Sequence, residues 1–122
     1  MKALLAAAAM TVLGLPALAQ EEAQDQILTI SYRCAGDAAL QVVFLNIAAG
    51  DSYAVMQSPE GMVPMRVARS GSGARYEAIA PGDGRVLWTK GGEATLYDGP
   101  DLSRTVLADC RAIPDKAPLP RP

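Results

Sequence analysis

From residue 27 onward, apolar and polar positions alternate in short runs broken by turn residues. In the first run Leu28, Ile30, Tyr32 and Cys34 share one face, while Thr29, Ser31 and Arg33 share the other. A two-residue period of this kind is that of a strand with one wet side. The next run is apolar at both parities, with Leu40, Val42 and Phe44 against Val43, Leu45 and Ile47. One of those faces must be covered by something other than solvent. The same cadence predicts strands over 27–34, 39–47, 52–57, 62–69, 74–80, 85–90, 94–98 and 104–110. Between them stand Ala35-Gly36-Asp37, Ala49-Gly50-Asp51, Ser58-Pro59-Glu60-Gly61, residues 70–73, Pro81-Gly82-Asp83-Gly84, Gly91-Gly92 and Gly99-Pro100-Asp101. Each contains Gly, Pro or Asp, the residues with which a chain reverses. No helical stretch is available to cover a sheet. The pattern therefore predicts an all-β fold, a small closed antiparallel barrel of about eight strands, with a two-sheet sandwich as the alternative.

The N-terminus reads differently. Met1-Lys2 is followed by an apolar run over 3–15, too short to span a bilayer, and then by Ala17-Leu18-Ala19 before Gln20. This is the arrangement of a cleavable export signal, residues 1–19. Residues 20–26 then form a polar lead-in without pattern, 27–112 the single barrel domain, and 113–122, with four prolines, an extended tail. No other segment is long and apolar enough to span a membrane. No Cys follows the cleavage site to carry a lipid anchor, so the expected location is the periplasm. An even pair of cysteines in an exported chain predicts a disulfide, Cys34 to Cys110, tying the first strand to the last. Two free buried thiols are the alternative.

Charge and composition then remove function classes. Without Lys2 the chain holds ten Lys/Arg (eleven less one) against thirteen Asp/Glu, a poor balance for binding nucleic acid. The chain has no His, which rules out Ser-His-Asp and Cys-His catalysis, and two Cys alone complete no zinc sphere. No metal or other cofactor is expected. The Gly-rich Ser70-Gly71-Ser72-Gly73-Ala74-Arg75 lacks the Gly-Lys-Ser/Thr ending of a phosphate loop. Glu77, Asp83 and Glu93 are scattered near turns, with nothing to pair them as a glycosidase acid and nucleophile.

One juxtaposition stands out. Segments 74–80 and 85–90 flank a turn and should form a hairpin. Ser72 precedes its first strand and Lys90 ends its second, so both sit at the end opposite that turn. Neighbouring strands lie about 4.8 Å apart, and hydroxyl and ammonium can project from one rim as a probe for carboxylates. The bland reading is an ordinary turn serine and a solvated strand-end lysine.

Three stretches, taken in order, resemble the membrane-bound and periplasmic inhibitors of C-type lysozyme. Tyr32-Arg33-Cys34 is similar to that family's opening Tyr-x-Cys. Ser70 to Tyr76 resembles its Ser-Gly-Ala-Arg-Tyr loop, and Leu87-Trp88-Thr89-Lys90-Gly91-Gly92-Glu93-Ala94 its aromatic-Trp-x-Lys-Gly-x-Glu-Ala stretch. Cys110 falls at the position of the closing cysteine. The resemblance implies an eight-strand barrel without enzymatic activity whose partner is a C-type lysozyme. It also implies that Ser72 and Lys90 enter the lysozyme cleft. Gly71, Gly73 and Gly91 would allow close backbone approach. Arg75 would add a rim contact or be solvated, Tyr76 would anchor the interface or pack, and Trp88 would fix the loop by packing. The segment between Tyr76 and Trp88 looks a few residues longer than the family's, around 80–84.

Other functions compete for the same residues. A Ser72/Lys90 hydrolase pair lacks the usual Ser-x-x-Lys spacing. A ligand inside a narrow barrel finds little room among Leu, Val, Ile and Phe side chains. A structural envelope protein is the third possibility.

Overall fold

The computed structural model describes residues 14, 24–99 and 101–114. The signal segment apart from Gly14, most of the lead-in and all of the tail beyond Pro114 lie outside the described residues. The alternating segments form β1 (Gln26–Arg33), β2 (Ala39–Asn46), β3 (Tyr53–Ser58), β4 (Gly61–Ala68), β5 (Ala74–Ala78), β6 (Arg85–Lys90), β7 (Glu93–Asp98) and β8 (Arg104–Ala112). They pair antiparallel in chain order and close into a barrel. A single 3-10 turn, Ala35–Asp37, joins β1 to β2.

The two-residue period does what it predicts in the middle of the sheet. Leu40, Val42 and Phe44 of β2, Ala54 and Met56 of β3, and Val63 and Met65 of β4 are all buried. Tyr76 of β5 joins them, its ring 5.5 Å from that of Phe44 and tilted by 55°. Burial raises the phenol pKa of both Tyr32 and Tyr76, and in Tyr32 the neighbouring Tyr76 adds to the shift. Alanines at 54 and 94 make room for larger neighbours, the small–large mixture a narrow barrel needs. The second apolar face of β2 is only partly covered. Val43 and Leu45 are half-buried on the outer wall, flanked in the ladder by Thr29 and Val55 and by Ile27 and Tyr53.

Simple alternation fails at several places, among them β6, where the adjacent Val86 and Leu87 are both buried. Leu28 shares the inward parity of Tyr32 yet is 45% exposed. The reason is the seam. β1 meets β8 only at Tyr32↔Ala112 and Arg33↔Arg111, and the Ile113 N–H donates one further bond to the Ser31 carbonyl. Over Gln26–Ile30, β1 has β2 as its only strand neighbour among the described residues. Closure also explains why β8 runs to Ala112, two residues past the sequence expectation. A further departure is a bulge between β7 and β8, where Ala94 faces Cys110 but Leu96 faces Leu107, and the register shifts once more before Tyr97 faces Thr105. Asp109 takes a positive φ of 54° within it. The bulge turns Cys110 inward, where it bonds to Cys34 across 76 residues of sequence.

The end of the barrel carrying the β5–β6 turn, residues 79–84, is tied by one arginine. Arg85 Nε and Nη2 donate to the Asp83 carboxylate at 3.0 and 2.7 Å, and Nη1 reaches Ser58 Oγ at 3.4 Å on the β3–β4 turn. Hydrogen bonding from Arg85 holds the Asp83 carboxyl below the usual carboxylate range. A depressed folded pKa stabilises the fold above the unfolded value, which is about 4. The contribution drains away as pH falls through the lower folded value. Asp83→Asn should therefore lower the melting temperature at neutral pH and flatten its decline below about pH 4. Thermal melts of the two proteins across acid pH check this.

Candidate functional site

At the opposite end, the loop over 69–73 and the Gly91-Gly92 hairpin leave the barrel side by side. Ala74 pairs with Thr89, and Lys90 with Glu93, so the residues just outside these pairs share one rim. Ser72 and Lys90 are both exposed there. Glu93, opposite Lys90 in the ladder, lies 3.9 Å from Arg111. Lys90 takes part in none of the ion pairs found among the described residues. Its ammonium is available to something else.

The loop is stiffer than its composition implies. The Ser72 carbonyl accepts two hydrogen bonds, from Trp88 Nε1 at 2.9 Å and from Ser70 Oγ at 2.7 Å. Trp88 sits half-buried on the outer wall, cross-strand from Arg75 and Thr95, so its indole is a fixed post. Gly73 adopts φ +67° and lies so close to β6 that a side chain would collide with the Thr89 carbonyl oxygen and come 2.9 Å from Trp88 Nε1. Gly91, at φ +57°, takes the first position of a two-residue hairpin, where the tight primed turns need positive φ. Gly71 differs from both, because a Cβ there would meet nothing within 4 Å. Gly73→Ala should thus cost roughly 1–3 kcal/mol of stability. Gly71→Ala should stay within about 0.5 kcal/mol. Denaturant titrations of both variants give the comparison.

The structure brings Gly71, Ser72, Gly73, Lys90 and Gly91 to one rim and separates two other candidates from it. Tyr76, expected as an interface anchor or as packing, is 5% exposed inside the barrel against Phe44. Its strand parity points it inward, with the buried residues of the barrel. Arg75 lies on the outer wall, half-buried, with Nε 3.5 Å from Glu77. Sequence reasoning missed Ser70, whose hydroxyl bonds two residues ahead. A serine opening a Gly-rich turn is the signal that would have found it.

Neither Ser72 nor Lys90 lines the cavity of about 540 Å³ that opens at the far end of the barrel. Among the described residues no three His, Cys, Asp or Glu side chains are grouped to hold a metal, and no helix is long and apolar enough to cross a membrane. The rim carries an exposed hydroxyl and ammonium, and its loop is held by the bonds to the Ser72 carbonyl. Such a surface suits contact with another molecule. The family described as membrane-bound lysozyme-inhibitor of c-type lysozyme (MliC) matches residues 32–101, and the chain belongs to that family. Among solved structures, the periplasmic lysozyme inhibitor of C-type lysozyme from Salmonella typhimurium, PliC-St, is 34% identical with a TM-score of 0.64. That match covers 74% of this chain and all of the inhibitor. MliC of Pseudomonas aeruginosa, solved in complex with hen egg white lysozyme, is 29% identical with a TM-score of 0.58, covering 83% of this chain and 92% of that one. No curated protein matches the sequence.

Proposed function

We infer that the protein inhibits C-type lysozyme by placing Ser72 and Lys90 against the carboxyl groups of the enzyme's cleft. The observation that carries the reading is an exposed lysine without an ion-pair partner among the described residues, beside a serine loop clamped by Trp88. The relative from Pseudomonas aeruginosa, solved with hen egg white lysozyme, supports the partner. C-type lysozymes work with one carboxyl group of raised pKa and one ionised carboxylate. An ammonium about 4 Å from a carboxylate gains roughly 4 kcal/mol at an effective dielectric of 20, before desolvation is subtracted. The Ser72 hydroxyl adds a hydrogen bond and fills space that sugar would occupy. No acetal bond is presented, so nothing is cleaved. The periplasm is the proposed location, reached through removal of residues 1–19 as an export signal.

The test is lysis of a peptidoglycan suspension by C-type lysozyme with the purified barrel added. Lysis slows in proportion to the added protein if the reading holds. An unchanged rate at a large molar excess over lysozyme rejects it.

A further inference from the structure

The far mouth of the barrel is built with as much polar structure as the rim, and the inhibitor reading leaves it unused. β6, β7 and β8 set Arg85, Asp98 and Arg104 opposite one another in the ladder, all at inward parity. The β5–β6 turn adds Asp83, and the β3–β4 turn adds Ser58 and Glu60. Inside this ring the cavity of about 540 Å³ has a floor of Leu40, Met56, Leu96 and Leu107. That volume lies within the range of small-molecule sites.

The rim holds two kinds of ion pair. Arg85 is engaged on three sides, by Asp83, by Ser58 and, at 3.9 Å, by Glu60, and its side chain is only 24% exposed. It acts as a wall. The Asp98–Arg104 pair is 2.8 Å long, with side chains 40% and 72% exposed. A guanidinium has five N–H donors, and a single hydrogen bond from Arg104, to Asp98, is found among the described residues. The pair therefore presents an anionic and a cationic group next to each other, open to solvent, above an aliphatic floor.

Charge selects the ligand class. A simple anion entering this mouth meets Glu60, Asp83 and Asp98. A simple cation meets Arg85 and Arg104. A molecule carrying both charges at one end can align its ammonium with Asp98 and its carboxylate with Arg104, pairing head to tail without breaking either bridge. The aliphatic floor calls for an apolar group attached to that head. We propose that this mouth binds a free α-amino acid with an aliphatic side chain, its zwitterionic head on the Asp98–Arg104 pair and its side chain against Leu40, Leu96 and Leu107. The site is independent of the lysozyme-facing rim.

The test is an amide-resolved NMR titration of the protein with L-leucine at neutral pH. Three further probes each lack one element: 3-methylbutylamine the carboxylate, 4-methylpentanoate the ammonium, and glycine the side chain. Leucine should shift the amides of Gly84, Leu40 and Asp98 saturably while leaving residues 70–73 unmoved. Each truncated probe should bind at least about tenfold more weakly, the scale of one lost charge-assisted contact or one unburied side chain. Arg104→Gln, at a side chain that is 72% exposed, should weaken leucine by a similar factor. Absence of saturable shifts at the mouth up to roughly 50 mM leucine, well beyond millimolar affinity, overturns the proposal. So does a truncated probe that binds as tightly as leucine, or an Arg104→Gln protein that still folds and binds leucine unchanged.

Discussion

Replacing Cys34 and Cys110 together with alanine will lower the stability of the barrel by roughly 2–5 kcal/mol. For a domain of this size that is a fall of about 10–30 °C in melting temperature. The bond closes a loop of 76 residues, for which the chain-entropy argument gives roughly 4–5 kcal/mol. Native packing adds to this, because both cysteines are buried, at 5% and 0% exposure, within the main apolar cluster. Alanine leaves a void where sulfur stood. Both residues should be changed at once, since a single change leaves a thiol free to cross-link. Thermal and denaturant unfolding of the double variant measure the effect. A melting temperature within about 3 °C of the parent contradicts it.

Lys90→Ala will weaken lysozyme binding by about 2 kcal/mol or more, some thirtyfold in affinity. Ser72→Ala will cost about 1 kcal/mol, the net worth of one neutral hydrogen bond. Both side chains are exposed, so the unfolding curves of the two variants should match the parent within about 0.5 kcal/mol. That separation of binding from stability distinguishes a contact residue from a structural one. Titration calorimetry against a C-type lysozyme reads the first quantity and urea denaturation the second. A double variant that inhibits as well as the parent removes Ser72 and Lys90 from the mechanism. Binding should also weaken in strong acid, where the enzyme's carboxylates take up protons and the attraction to Lys90 disappears.

Much of the fold was legible because strand period and turn chemistry agree along the chain. Leu40-x-Val42-x-Phe44 and the reversals at Gly91-Gly92 and around Gly82 leave few alternatives, and each strand lies within two residues of its expected span. What escaped was non-local. Leu28 has the parity of a core residue, but only the offset between β1 and β8 decides whether a wall stands in front of it. The bulge that turns Cys110 inward depends on counting residues across two strands, which no single segment reveals. The rim was legible for a related reason. A hairpin brings the residues at its two open ends side by side, so Ser72 and Lys90 converge by strand spacing alone. The bond from Trp88 to the Ser72 carbonyl was not legible in detail, because it joins an outer-wall indole to a backbone atom 16 residues away. Tyr76 was open between two roles because the sequence does not say which face of β5 turns inward; the structure buries its ring on the face it shares with Ala74 and Ala78.

The way the sheet joins its own beginning governs how the molecule comes apart. A ring stitched along seven long borders and one short one does not loosen evenly. Amide hydrogens of Gln26–Ile30 should exchange with solvent before those of β2 through β7, and a reductant that cuts the sulfur bridge should let the wall unroll from that border first.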